Sequence, residues 1–200
     1  MVRKRSLLIV AGAAPPVLLL AIACFTVTQP VLWVSEVPTS PSVDPRRLEA
    51  HVRVLAEDLI PRDWTHPENL DRAAAYIRQE FEASGGRVRE QVYGMEGKTY
   101  RNVIADFGPE SRQLIVVGAH YDAAGEFPGA DDNASGVSGL IELAHALWKV
   151  GYDAVMVTDT ALYRNGNYHA SRDTPGTLDY VRMAQVVRGV SAAVQAIGAN

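Results

Sequence analysis

The stretch GAHYDAAGEFPGADDNASG, from Gly118 to Gly136, decides how the second half of the chain folds. The run Gln113–Ala119 leads into it and is apolar on both faces, as expected for a buried parallel strand. The segment from Ser135 to about Lys149 places apolar residues at helical spacing, and Ala154–Thr158 is a second apolar run. The strand–helix–strand order predicts an α/β domain with a right-handed crossover.

The polar residues of this stretch are of the types that bind divalent metals. His120 directly follows the predicted strand, at the sheet edge where α/β proteins bind ligands. Asp122 is placed to accept a hydrogen bond from its imidazole, a pairing that fixes the tautomer of metal-bound histidines. Asp131 and Asp132 stand just before the predicted helix. Each motif alone also fits a chance HxD or a helix cap, but together they favour a metal site.

The same stretch resembles the metal-binding core of the di-zinc aminopeptidases of the bacterial leucyl aminopeptidase and aminopeptidase Y type. In that pattern, a strand ends in G-x-H-x-D and G-A-D-D-x-A-S-G opens a helix. The resemblance implies an α/β/α sandwich of the zinc-exopeptidase type and aminopeptidase-type hydrolysis of peptide bonds. It further implies that His120 binds one zinc, that Asp132 bridges both, and that Asp122 orients His120. The Asp132–Asn133 peptide bond is a candidate for the cis form.

The end of the chain extends the resemblance. Residues Ala154–Thr174, AVMVTDTALYRNGNYHASRDT, are similar to the closing strand of the family and to the loop that carries its last histidine ligand. By this match His169 resembles the imidazole ligand of the second zinc, whereas taken alone it fits an exposed loop histidine. The segments PRDWTHPENLDRAAAYIRQEF, from Pro61, and YRNVIADF, from Tyr100, resemble the leading helices and edge strands. The resemblance covers residues 47–200, with a break.

The break falls on the catalytic segment. In the family, the helix after the bridging aspartate leads to a strand that ends in a Glu-Glu pair, which supplies the general base and a zinc ligand. Here the chain passes directly, near residues 148–153, to what resembles the far end of the domain, so we predict an internal deletion and identify no catalytic residue. Glu126 lies in the loop and could approach a metal, whereas we expect Glu142 to be a solvated helix residue and Asp159 to cap a turn.

The expected function follows from this loss. Three of the family's ligands remain for zinc, so we expect one zinc, or weak binding, in place of the two in the family. Without the base, peptide hydrolysis is expected to be poor or absent. Two other interpretations are a non-catalytic, membrane-tethered binding module and the product of a deleted or misjoined gene. Whether the ancestor was an aminopeptidase or a carboxypeptidase stays open.

The N-terminal segment predicts a membrane anchor. Three basic residues, Arg3 to Arg5, precede the charge-free stretch Ser6–Ser35, which is long enough to span a bilayer. Residues 1–35 are therefore predicted to be a single-pass anchor with the domain outside the cytoplasm. A cleaved signal sequence, and hence secretion, is the alternative. Residues 36–46 are rich in Pro and Ser, which favours a linker.

Further elements and the partners follow from pattern and composition. Asp44 is predicted to cap a first helix, Glu68–Ser84 a second, and Leu178 to about Ala196 the closing one, while residues 88–93 and 100–107 predict a hairpin. The net charge of −4 with scattered cations excludes a nucleic-acid partner, and the single cysteine excludes an intramolecular disulfide. The expected partners are peptide or protein N-termini, the membrane, and a second copy at the uncovered sheet edge.

Overall fold

The computed structural model describes residues 18–19, 42–108, 115–148 and 166–198. Contacts divide the chain into two units, Met1–Pro38 and Thr39–Asn200, and the elements below belong to the second. Among the described residues, no helix is both long and apolar enough to cross a membrane. The predicted anchor, residues 1–35, lies outside the described residues apart from Leu18 and Leu19, so the transmembrane helix is not supported.

Two helices open the domain, as the sequence predicted. Helix α1, Pro45–Arg53, is capped by the carboxylate of Asp44, which accepts a hydrogen bond of 2.9 Å from the backbone N–H of Arg46. It continues into a π-helical turn, Val54–Asp58. Helix α2, Pro67–Ala83, buries the apolar face that its sequence predicts. Together with the π-helical turn, these two helices supply half of the buried residues of the main core.

The predicted hairpin is confirmed. Strands β1, Arg87–Met95, and β2, Lys98–Asp106, pair antiparallel, and Tyr93 stands opposite Tyr100. Glu96 and Gly97 at the turn both have positive φ angles, 52° and 76°. Two consecutive left-handed residues give the turn a twist that matches the twist of the strands.

Two further helices complete the core. Helix α3, Ser135–Trp148, packs Val137 and Ile141 into the cluster formed by α1 and α2. Helix α4, Tyr180–Gly198, packs Ala184 and Val187 into a second cluster. Both helices match the sequence prediction, and the wide turn that precedes α3, Ala130–Ala134, carries the candidate site.

One predicted strand is not formed. Residues 115–119, the described part of the Gln113–Ala119 run, have no regular secondary structure, and Val116 is 72% exposed. The prediction was wrong because it assumed neighbouring strands on both sides of this run. The only sheet within the described residues is the β1–β2 hairpin. The predicted strand at 154–158, and the predicted junction beyond Trp148, lie outside the described residues.

Glu142 also corrects a prediction, because it is a buried residue and not a solvated one. Its side chain on α3 is 4% exposed and accepts a hydrogen bond of 2.9 Å from Arg47 Nε. His51 Nε2 lies 3.4 Å from the same oxygen, and His51 Nδ1 lies 2.5 Å from the hydroxyl of Tyr76. Burial raises the pKa of Glu142, but the contacts with His51 and Arg47 outweigh it, so the pKa lies below its ordinary value.

We expect Glu142→Gln to lower the free energy of unfolding by about 1–3 kcal/mol at pH 7, because a buried charged partner is lost. A carboxyl whose pKa is lowered by folding stabilises above its unfolded pKa, and that contribution disappears as the pH falls through the folded pKa. The difference between the two proteins should therefore shrink in acid. Urea denaturation at several pH values measures this difference. Glu82→Gln is the control, because Glu82 forms an exposed ion pair with Arg78. A loss that is the same at every pH would contradict the ion pair.

Candidate metal centre

Three segments of the chain bring the predicted site residues together. His120 ends the irregular run after β2, Asp132 lies in the turn before α3, and His169 lies in the loop before α4. His120 Nε2 lies 3.2 Å from Asp132 Oδ1, and His169 Nε2 lies 2.8 Å from Asp132 Oδ2. The two imidazoles therefore face separate oxygens of one carboxylate. The exposed fractions of the three side chains are 55%, 13% and 49% in chain order.

Asp122 is where the sequence predicted it. Its Oδ1 lies 3.0 Å from His120 Nδ1. This hydrogen bond raises the pKa of His120, although burial opposes it, and lowers the pKa of Asp122. When Nδ1–H donates its hydrogen bond to Asp122, the neutral ring of His120 has no proton on Nε2, and this nitrogen faces Asp132. Two acceptors 3.2 Å apart repel each other, so either a second proton or a cation belongs between them.

The backbone of the turn has the form that the resemblance predicted. The Asp132–Asn133 peptide bond is cis. Both residues depart from helical angles, with φ of −114° and −142°. Gly129, at the start of the turn, has a left-handed φ of 61°, which glycine adopts without steric conflict.

Sequence reasoning missed Asp173, which holds the backbone of this turn in place. Its carboxylate is 1% exposed and accepts hydrogen bonds from the backbone N–H groups of Asp131, at 2.9 Å, and Asp132, at 3.2 Å. The Asp173 carbonyl accepts a third, from Ala130, at 3.2 Å. Because Asp173 follows His169 by four residues, it ties the His169 loop to the Asp132 turn. Its place in the Tyr-His-x-x-x-Asp-Thr pattern was the signal in the sequence.

The donor atoms are of the types that bind zinc, but their separations are shorter than those around a bound zinc ion. Zinc binds imidazole nitrogen and carboxylate oxygen, and donors on one tetrahedral zinc lie about 3.4 Å apart. The 3.2 Å between His120 and Asp132 is close to that separation, whereas the 2.8 Å at His169 is shorter. Among the described residues, no three His, Cys, Asp or Glu side chains are arranged as a formed metal site. The residues fit zinc by type.

The remaining carboxylates predicted near the site are not in it. Glu126 is exposed in the loop between His120 and Asp132, and it has no ion pair or hydrogen bond with the site residues in the described part of the chain. Glu142 is buried against Arg47. Asp159 lies outside the described residues.

Gly129→Ala tests how tightly the turn is packed. A Cβ at Gly129 would lie 2.5 Å from the Asp132 carbonyl oxygen and 2.7 Å from the Ala123 Cβ. Gly125, in the same loop, also has a positive φ, of 53°, but a Cβ there meets nothing within 4 Å. We expect Gly125→Ala to cost about 1 kcal/mol of unfolding free energy from the backbone alone, and Gly129→Ala roughly 1–3 kcal/mol more from the collision. Equal losses in urea denaturation would contradict the close approach.

Two imidazoles and a shared carboxylate are donors of the types that zinc sites in proteins use. The family model for Peptidase family M28 matches residues 102–157. The chain is 44% identical to the uncharacterized protein YfbL of Escherichia coli (strain K12) over 124 residues, which are 58% of this chain and 38% of that protein. It is 25% identical to leupeptin-inactivating enzyme 1 of Streptomyces exfoliatus over 122 residues, 59% of this chain and 28% of that enzyme.

A solved structure shows the same fold. The glutaminyl cyclase of Fimbriiglobus ruber superposes with a TM-score of 0.67 at 14% identity, over 78% of this chain and 96% of that one. The described helices and hairpin thus belong to a fold of mixed helix and strand that this structure shares. The matches confirm the resemblance to the zinc aminopeptidase family. The chain spans about a third of the length of the curated relatives it matches.

Proposed function

We propose that this chain is a zinc-binding domain of the metallo-exopeptidase type that holds one zinc ion through His120, Asp132 and His169 and hydrolyses peptides poorly or not at all. The observation that carries the proposal is the convergence of two imidazole nitrogens on the two oxygens of Asp132, at 3.2 and 2.8 Å. Catalytic zinc sites commonly use three protein ligands and leave a further position open. The exposure of both imidazoles keeps such a position accessible to a ligand from solvent.

The surrounding residues have separate tasks. Asp122 accepts a hydrogen bond from His120 Nδ1–H and so keeps Nε2 available to a cation. Asp173 holds the turn by accepting hydrogen bonds from the backbone N–H groups of Asp131 and Asp132. When bound, zinc supplies a Lewis acid that can polarise the carbonyl of a substrate peptide bond. An aminopeptidase-type substrate would present the N-terminal end of a peptide or protein.

Among the residues that the structure describes, the carboxylates around the site are poorly placed to act as a general base. A general base must lie within hydrogen-bond reach of the proton it removes and must be free to accept it. Asp122 is engaged with His120, and Asp173 is buried and engaged with backbone N–H groups. Glu126 is exposed and has no contact with the site residues in the described part of the chain. Impaired hydrolysis is proposed because two of these carboxylates are already hydrogen-bonded and the third lies away from the site residues.

Zinc binding is the direct test. The purified chain, depleted of metal by chelator, is dialysed against zinc at neutral pH, and the metal and protein contents are measured. We expect about one zinc per chain, since three protein donors suit one catalytic-type ion. Failure to bind zinc would refute the proposal. Two tightly bound zinc ions would refute the single-ion part and would require donors from other residues.

The location of the domain is part of the proposal. The three basic residues Arg3–Arg5 and the charge-free stretch Ser6–Ser35 support attachment to a membrane with the domain outside the cytoplasm, or secretion after signal cleavage. Fractionation of cells that express the full chain distinguishes the two. The membrane fraction is expected to retain the protein in high salt and to release it in detergent.

A further inference from the structure

Arg62 is a buried cation that contacts two of the three segments that form the candidate metal centre. Its side chain is 0% exposed. Its Nε donates a hydrogen bond of 2.9 Å to the carbonyl of Tyr121, and its Nη2 donates one of 3.1 Å to the carbonyl of Gly129. A third, from Nη1, reaches the carbonyl of Leu55 in the π-helical turn after α1. The Arg62 carbonyl in turn accepts a hydrogen bond of 2.8 Å from Ala123 N–H.

These contacts join two segments that each carry a candidate ligand. Tyr121 lies between His120 and Asp122, and Gly129 opens the turn that contains Asp132. Because guanidinium is planar and its N–H groups point in fixed directions, it sets the spacing between the carbonyls that it binds. The 3.2 Å between His120 Nε2 and Asp132 Oδ1 therefore depends on a side chain that touches neither of them.

The charge of Arg62 is also arranged unusually. In the described part of the chain, its side-chain hydrogen bonds go to three backbone carbonyls and not to a carboxylate. Burial lowers the pKa of Arg62 to about 10, while the nearby carboxylates Asp122, Asp173 and Asp132 act in the opposite direction. The guanidinium thus remains charged at neutral pH. It balances the acidic site from a distance and leaves the oxygens of Asp122 and Asp132 to the imidazoles.

We propose that Arg62 is a positioning residue of the metal centre, which holds the His120 segment and the Asp132 turn at the separation that a divalent cation requires. This inference rests on the proposed function, because it assigns Arg62 a task toward the same three donors. A packing role alone predicts a loss of stability without a change in the metal environment. A substitution that keeps the charge of Arg62 but removes its fork of N–H groups separates the two roles. Only the positioning role predicts that the metal environment then changes.

Arg62→Lys makes that change, because lysine keeps the charge but offers a single ammonium. Cobalt(II) is titrated into the full chain, and its visible absorption reports the ligand geometry. We expect the variant to bind cobalt about 10–100-fold more weakly, as when a hydrogen-bond partner behind a ligand is lost, with an altered spectrum. Arg53→Lys is the matched control, since Arg53 pairs with Glu49 and Glu57 on an exposed helix face, and it should behave like the wild type.

The outcomes separate the two proposals. An Arg62→Lys variant that folds and binds cobalt with wild-type affinity and spectrum overturns the positioning role but leaves the proposed function intact. A wild-type chain that binds no cobalt overturns both. If the variant does not fold, the Nε–H resonance of Arg62 in the wild type decides. The resonance is expected to shift when zinc is added, and a resonance that does not respond overturns the positioning role.

Discussion

Asp132→Asn is expected to abolish zinc binding. The carboxylate of Asp132 faces both imidazoles, and the amide removes its charge and replaces one oxygen by an N–H₂ donor. Loss of a hydrogen-bond partner behind a ligand weakens metal binding about 10–100-fold, and loss of the shared ligand itself should exceed that range. Competition with a chromophoric chelator measures the affinity.

A control removes the same charge elsewhere. Asp106 ends β2 and pairs with Arg89 in an exposed ion pair. Asp106→Asn should bind zinc as the wild type does, and both variants should be compared for unfolding in urea. Retention of wild-type affinity by a folded Asp132→Asn protein would remove Asp132 from the site. A loss of affinity in Asp106→Asn of the same size would point to net charge as the cause.

The second large effect concerns turnover. The zinc-loaded chain is expected to cleave an aminoacyl-nitroanilide no faster than the same chain in excess chelator. A positioned general base contributes about 10²–10⁴-fold to such reactions, and the carboxylates near Asp132 are engaged elsewhere or exposed away from the site. The measurement is the initial rate of nitroaniline release across a range of enzyme concentrations.

The Asp132→Asn variant serves as the background for this assay. Activity that persists in that variant belongs to a contaminating peptidase, because the variant is expected to bind no zinc. Chelator-sensitive cleavage that is present in the wild type and absent from Asp132→Asn would contradict impaired hydrolysis. It would then call for a base among the residues beyond Trp148.

Much of the fold could be predicted because its signals are local. The cap at Asp44, the helices α1 to α4 and the hairpin each follow from spacing within a short window. The run at 113–119 could not be judged in this way. An apolar segment pairs as a strand only if other strands flank it, and its own residues do not report whether they do. Glu142 was misjudged for the same reason, since Arg47 and His51 lie 95 and 91 positions away in the sequence.

The candidate site depended on two kinds of information. His120 and Asp122 could be paired from their spacing, but only the resemblance to a family brought His169 to Asp132, because 37 positions separate them. That the three bind a metal stays a prediction. Asp173 had its place after His169 as a signal, whereas Arg62 could not be predicted from pattern or charge, since it acts on backbone groups of distant segments. Such contacts leave no periodic trace in a sequence.

X-ray absorption at the zinc edge reports which atoms bind the ion. The zinc-loaded wild type is predicted to show two imidazole ligands together with oxygen ligands, and His169→Ala should show one imidazole. A zinc environment made only of oxygen, or one that still contains two imidazoles after His169 is removed, would contradict the site described here.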